Sequence, residues 1–422
     1  MNVVKSALLD ESYYEYDHPS GLKILVYPKE GYQSAYAIFG TRYGSIDTRF
    51  RLKGEKEWTV VPEGIAHFLE HKLFESQDED AFARYARTGA NANAFTSFDR
   101  TCYLFSCTEN FGASLEILLD FVQSPYFTKE TVDKEQGIIG QEIRMYDDEP
   151  NWRVMFNLLT ALYHTHPVRI DIAGTIDSIA KIDADLLYTC YRTFYNLNNM
   201  VLAVAGKVDP KEVLAIADKV LKPSVDAVIE RSFEEEPEEI VTDHVEQKLS
   251  VTVPLFMFGY KETPKAQGMD TQTLVEWELL LELIAGKTSS LYRRLLDEQL
   301  INESFGTELF EGRGYVSAMF AGESKDPKAV AEAVKAEIER LKKDGIDKDA
   351  FERVRRERYG LSVMAFDSVE GIANNLSSAH FTGRGLFDTA EVLSRVTCDQ
   401  VQELLKKSLR PERSALSTIL PA

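Results

Sequence analysis

NANAFTSF (Asn91–Phe98) and TCYLFSC (Thr101–Cys107) are separated only by Asp99 and Arg100. Both runs are rich in aromatic, Thr and small apolar residues, the composition of a half-buried pleated strand, so they read as a hairpin-like pair. Upstream lie two more strand-like runs, LKILVY (Leu22–Tyr27) and SAYAIFG (Ser34–Gly40), then helical stretches from Pro62 to about Glu75 and from Asp78 to Arg87. Downstream come a helix at Gly112–Gln123, a long helix from about Lys129 to Tyr146 and another from near Asn151. The strand MVLAVAG (Met200–Gly206) follows, with a helix capped at Asp209 and Pro210.

The remainder of the chain repeats this plan. A strand at Ser250–Tyr260 precedes helices at Thr271–Ala285 and Ser290–Asp297, and a strand pair at Ser304–Phe310 and Tyr315–Gly322 precedes a helix at Asp326–Lys343 opened by Asp-Pro. Helix resumes from about Asp347, and SALSTIL (Ser414–Leu420) supplies a closing strand. Paired strands set apart by several helices predict an α+β fold of two homologous domains, each a largely antiparallel sheet packed with helices. The break between them is PSVDAVIERSFEEEPEE (Pro223–Glu239), with two prolines and six glutamates from Glu230 to Glu239. Like charges at that density repel and Pro237 cannot continue a helix, which predicts a solvated acidic linker. The division is therefore 1–229, linker 230–239, and 240–422.

With 48 Lys+Arg against 68 Asp+Glu, the 422 residues carry a formal net charge of −20. That charge argues against nucleic acid and against an anionic membrane as partner. The start, MNVVKSALLDESYYEYDHPS, has early acids and no long apolar core, so it does not read as a secretory signal. The longest uncharged stretch, Val154–Val168, has 15 residues including two His, too short and too polar to span a bilayer. Four cysteines show no C-x-x-C spacing, and Cys102 and Cys107, five apart in a strand, fall on opposite faces. A cytoplasmic protein with reduced cysteines is the expectation.

The chemistry concentrates in EGIAHFLEHKLFE (Glu63–Glu75), where His67, Glu70 and His71 form H-x-x-E-H. On a helix His67 and His71 are i, i+4 neighbours, ~5–6 Å apart at Cβ, close enough to share one ion. Glu70 stands beside that ion, placed to take a proton from its water. Chance would supply about 0.02 such motifs from this His content, so the pattern is informative. A catalytic zinc takes three protein ligands and a water. The best source of the third is KEQGIIGQEIRMYDDE, whose Glu135 and Glu142 lie two helical turns apart and share a face. One of them could ligate while the other orients a histidine. Glu75 is a weaker rival.

These residues resemble the insulinase/pitrilysin metallopeptidases, the inverzincins, whose H-x-x-E-H reverses the commoner zincin order. The chain is most similar to the short branch that contains the mitochondrial processing peptidase, and within it to Firmicutes members. YGSIDTRF, PEGIAHFLEHKLFE, GANANAFTSFDRTCY, EQGIIGQEIRMYDDEP and HPVRIDIAG carry the likeness. The resemblance implies half of a clamshell, a Zn2+ held by His67, His71 and Glu142, Glu70 as general base, and Glu135 as the acid that supports the ligands. It also implies that Asn93, Ala94 and Phe95, in the run that ends at Thr96, form an edge strand that pairs with an extended peptide substrate. The expected activity is that of a zinc endopeptidase on short or unfolded peptides.

One departure stands out. The family's second half usually carries Arg and Tyr seven residues apart, gripping the substrate; here Leu296 and Glu303 occupy those places, with Phe305 beyond. Arg293, Arg294 and Tyr315 lie nearby without that spacing. A related, metal-free subunit that supplies the pair in a heterodimer is the expectation, a homodimer or use of Arg293 or Arg294 being the rivals. The alternative function is a non-catalytic scaffold or assembly subunit of the same fold, against which the intact zinc set argues.

Overall fold

The structure, a computed structural model, describes residues 2–224, 227–264 and 268–422. The chain forms two compact units. The first comprises Met1–Ile143, Asp171–Ser232 and Val363–Phe387, and the second Arg144–Ile170, Phe233–Ser362 and Asp388–Ala422.

In the first unit the strands are β1 (Asn2–Ser6), β2 (Glu11–Asp17), β3 (Lys23–Pro28), β4 (Ala35–Thr41), β5 (Arg49–Leu52), β6 (Thr59–Val60), β7 (Asn91–Thr96), β8 (Thr101–Cys107), β9 (Met200–Gly206) and β10 (Ile229–Arg231). Seven of them make a sheet in the order β1-β2-β3-β9-β4-β8-β7, and β10-β5-β6 make a small one. Within the large sheet β3 and β9 run parallel, and the other neighbours are antiparallel. The hairpin read from Asn91–Cys107 is β7–β8, with Thr96 opposite Thr101, and it places β7 at the edge.

The second unit contains β11 (His244–Leu249), β12 (Leu255–Lys261), β13 (Gly306–Gly312), β14 (Tyr315–Glu323) and β15 (Ser414–Pro421), ordered β11-β15-β12-β14-β13. Its β11–β15 pair is parallel and the rest antiparallel. The route matches β3-β9-β4-β8-β7: the last strand inserts between the first two, and a hairpin extends the far side. The α+β repeat read from the sequence is thus present as topology.

Both faces of the first sheet are covered, as the unbroken apolar runs of β4 and β9 require, since every residue of each is buried. One face packs Val26, Phe39, Leu202 and Val204 against Phe68, Leu69 and Leu118. The other packs Leu25, Ile38, Val201 and Ala203 against Ile372, Leu376 and Phe381. Cys107 lies in the first layer and Cys102 in the second, on opposite faces as the strand period predicts.

Two sequence expectations need correction. The chain does not divide cleanly at 230–239, because the helix Val369–Thr382 belongs to the first unit and the helix Pro150–Leu162 to the second. Each packs on the sheet of the opposite half of the sequence, Val369–Thr382 on β4 and β9 and Pro150–Leu162 on β12 and β15. Nor is 230–239 a free solvated linker. Residues 229–231 form β10 against β5, and the Glu236 carboxylate accepts the backbone N–H groups of His164, Thr165 and His166 and the Lys261 ammonium. Val225 and Asp226 of the acidic stretch lie outside the described residues. Among the described residues no helix is long and apolar enough to cross a membrane.

Candidate metal centre

His67 and His71 stand on the helix Ile65–Leu73, whose Ile65, Ala66, Phe68, Leu69 and Leu73 are buried in the core. Its start is set by close backbone approach. Gly64 has φ +86°, and a Cβ there would lie 2.3 Å from the Ala173 carbonyl oxygen, a contact only glycine avoids. The Ser178 hydroxyl donates to the Glu63 carbonyl at 2.9 Å. The segment that ends HPVRIDIAG and the cap that follows it therefore close over the entry to the histidine helix. Lys72, fully buried, donates from Nζ to Glu75 and, at 3.4 Å, to the Thr131 carbonyl. This ties the helix to the start of a second one, Lys129–Asp147. That second helix buries Val132, Glu135, Ile139 and Ile143 at helical spacing and carries Glu142 beside this stripe.

Three side chains converge. His67 Nε2 is 3.7 Å from one Glu142 oxygen and His71 Nε2 3.6 Å from the other, and the two imidazole centroids are 4.5 Å apart. The His–Glu distances are too long for hydrogen bonds. One donor atom from each residue lies within 4.8 Å of the others, and a tetrahedral zinc with bonds of ~2.0–2.2 Å spaces its ligand atoms by about 3.3–3.6 Å, so small side-chain movements would close this set on such an ion. Among the described residues, His67, His71 and Glu142 are the group of His, Cys, Asp or Glu able to hold a metal. Glu75, the rival third ligand, is engaged by Lys72 instead.

The surrounding groups prepare the donors. Glu135 lies 2.9 Å from His71 Nδ1, which fixes the proton there and leaves the Nε2 lone pair facing Glu142. Burial, and then the neighbouring His71, lower His67 to about 3, so its imidazole is neutral and has a lone pair to offer. For His71 burial pulls downward, but the bond to Glu135 and the charges of Glu70, Glu142 and Glu135 raise it overall. Burial raises Glu142, and burial pushes Glu70 up to about 6 against the lowering effects of His71 and Thr96. Three carboxylates around two imidazoles are mutually costly without a cation, and a divalent ion relieves that cost. Sequence reading did not single out Thr96 as a partner of Glu70, yet its hydroxyl donates to Glu70 Oε2 at 2.9 Å.

Among the described residues the expected substrate strand, β7, pairs with β8 alone. Asn93 is exposed, and its side-chain oxygen accepts the Ala94 N–H at 2.9 Å. Ala94 is partly buried against the helix-side core and Phe95 against the opposite face of the sheet. In the second unit Leu296 and Glu303 are exposed, as are Arg293 and Arg294. Tyr315 and Phe305 are core residues, the first against His166 and Phe310, the second against Tyr292 and Phe256, so neither ring is free to grip a ligand. His166 is buried and structural, with Nδ1 accepting the Val168 N–H and Nε2 donating to the Arg313 carbonyl at 2.9 Å.

Comparison with known proteins adds an independent line. The family described as insulinase (peptidase family M16) matches residues 60–176, and that described as peptidase M16 inactive domain matches 181–358. The chain is 41% identical over 418 residues to the protein described as uncharacterized zinc protease YmfH of Bacillus subtilis, covering 98% of this chain and 97% of that one. It is 24% identical over 388 residues to uncharacterized zinc protease YmxG of the same organism, covering 87% and 91%. Among solved structures it is similar to an M16-like peptidase from Alicyclobacillus acidocaldarius, with TM-score 0.92, 35% identity and coverage of 97% and 98%. A protease from Helicobacter pylori shares the fold, with TM-score 0.82 at 21% identity over 97% of this chain and 99% of that one.

Proposed function

We propose, from the premise that the chain belongs to the insulinase family of peptidases (family M16), that it is a zinc-dependent endopeptidase acting on short or unfolded peptides. The observation that carries the reading is the convergence of His67, His71 and Glu142, with Glu70 one residue before the second histidine. His67 and His71 through Nε2, and Glu142 through its carboxylate, would hold the zinc. When bound, that ion supplies a Lewis acid for the scissile carbonyl and acidifies water at the site. Glu70 accepts a proton from the attacking water and returns it to the departing amine as the C–N bond breaks. Glu135 keeps the His71 ring in one tautomer and orientation throughout. The free edge of β7 receives the peptide as an added strand, so main-chain bonds admit many sequences.

The second unit offers Leu296 and Glu303 where substrate-gripping side chains are expected, which supports a heterodimer with a metal-free homologue that contributes Arg and Tyr and completes a closed chamber. The test is cleavage of a quenched fluorescent peptide by the purified zinc-loaded chain, alone and co-expressed with such a homologue, with and without chelator. Chelator-sensitive turnover is expected, strongest for the pair. Glu70→Gln should retain zinc and lose at least about a hundredfold in rate. Failure to bind zinc, or a Glu70→Gln variant as active as the wild type, overturns the reading in favour of the scaffold subunit.

A further inference from the structure

Glu70 is held by the last residue of the strand that would receive the peptide. Thr96 closes β7, and its Oγ1 donates to Glu70 Oε2 at 2.9 Å. Across the ladder from it stands Thr101, fully buried, with the two hydroxyl oxygens 3.4 Å apart. The Thr101 hydroxyl donates to the Tyr43 carbonyl at 2.9 Å, so its single hydrogen is committed. The hydrogen of Thr96 then has one strong acceptor, a carboxylate oxygen. Glu70 is buried, and its other oxygen, Oε1, has no protein hydrogen-bond partner among the described residues. One oxygen is anchored and the other is left for a proton.

We propose that Thr96 is a positioning residue for the general base: it fixes the Glu70 carboxylate so that Oε1 faces the reacting water. Because the same strand presents the edge on which the peptide would lie, substrate and base take their places from one rigid element, β7. This rests on the peptidase reading. The positioning contribution is of the kind that a small misplacement removes, about tenfold to a hundredfold in rate.

Thr96→Val keeps the shape and the β-branch and replaces the hydroxyl by a methyl group. It should lower kcat about tenfold to a hundredfold with KM unchanged, and Thr96→Ser should restore most of the loss. Zinc affinity, measured by competition with a chromophoric chelator, should be the same in all three proteins. Crystal structures of wild type and Thr96→Val should show the Glu70 carboxylate rotated or in more than one conformer in the variant. An unmoved carboxylate, a kcat within twofold of wild type, or a Thr96→Ser variant as slow as Thr96→Val overturns the proposal. A wild type with no chelator-sensitive cleavage, but with a carboxylate that moves in Thr96→Val, overturns the peptidase reading and leaves the anchoring by Thr96 supported.

Discussion

Glu135 and Glu142 occupy one face of one helix, two turns apart, yet only the second faces both imidazoles. Glu135 is buried and bonded to His71 Nδ1, while Glu142 is partly buried with an oxygen toward each ring. This geometry favours Glu142 as the proposed ligand, whereas spacing alone left the two glutamates interchangeable. Glu135→Gln preserves shape but weakens the charge-assisted bond that orients His71, and should reduce zinc affinity by about tenfold to a hundredfold with little change in melting temperature. Isothermal titration against a competing chelator measures it, and affinity equal to wild type would show that Glu135 is packing only. The His67, Glu70, His71 set was legible in the sequence because its members lie within one helical turn and a residue. The bond from Thr96 to Glu70 and the tie from Lys72 to Thr131 were not legible, because they join residues 26 and 59 apart in the chain.

At the scale of elements, legibility followed local signals. The helix Thr271–Ala285 begins after Asp270, whose carboxylate caps the Thr273 N–H, and ends at Gly286, so its bounds were readable. The strand β10 is three residues inside an acidic run, with no period to detect, and becomes a strand only by pairing with β5. The same run contains Glu236, which burial disfavours but Lys261 and three backbone N–H groups hold down to about 2. Its stabilisation is present above the ordinary carboxylate range and is lost as pH falls through about 2. His166 beside it acts higher on the pH scale. Burial lowers it from 6.5 to about 4, and protonation would remove the Nδ1 acceptor used by Val168. A histidine kept neutral in the fold costs stability as the unfolded chain takes up protons, so the loss begins below about 6.5 and levels off below about 4. Chemical denaturation followed across that range should show a decline on the order of 3 kcal/mol. His166→Gln should reduce the slope without abolishing it, because burial also lowers His67, to about 3, and an unchanged slope would place the acid sensitivity elsewhere.

At the scale of the whole molecule, the exchange of helices between sequence halves has a cost that can be measured. Strand and helix patterns indicate that β4 and β9 need cover on both faces, but not which helix supplies it, since that depends on packing between residues far apart in the chain. The first unit takes its second cover from Val369–Thr382 and the adjoining residues Phe366 and Phe387. Removing them uncovers the face formed by Leu25, Ile38, Val201 and Ala203 and strands Ile372, Leu376 and Phe381. At ~1.5–3 kcal/mol for each large apolar side chain, the six large ones among these amount to on the order of 10 kcal/mol. That is comparable with the entire stability of a typical domain, about 5–15 kcal/mol. A fragment of residues 1–232, which carries every proposed zinc ligand, should therefore be insoluble or molten and bind zinc poorly. Co-expression with residues 233–422 as a separate chain should recover a soluble complex that binds one zinc. Solubility, near-ultraviolet circular dichroism and zinc stoichiometry read the outcome. A well-folded, zinc-binding 1–232 fragment would show that the Val369–Thr382 helix is dispensable to the first unit, and the division at the acidic stretch would then hold after all.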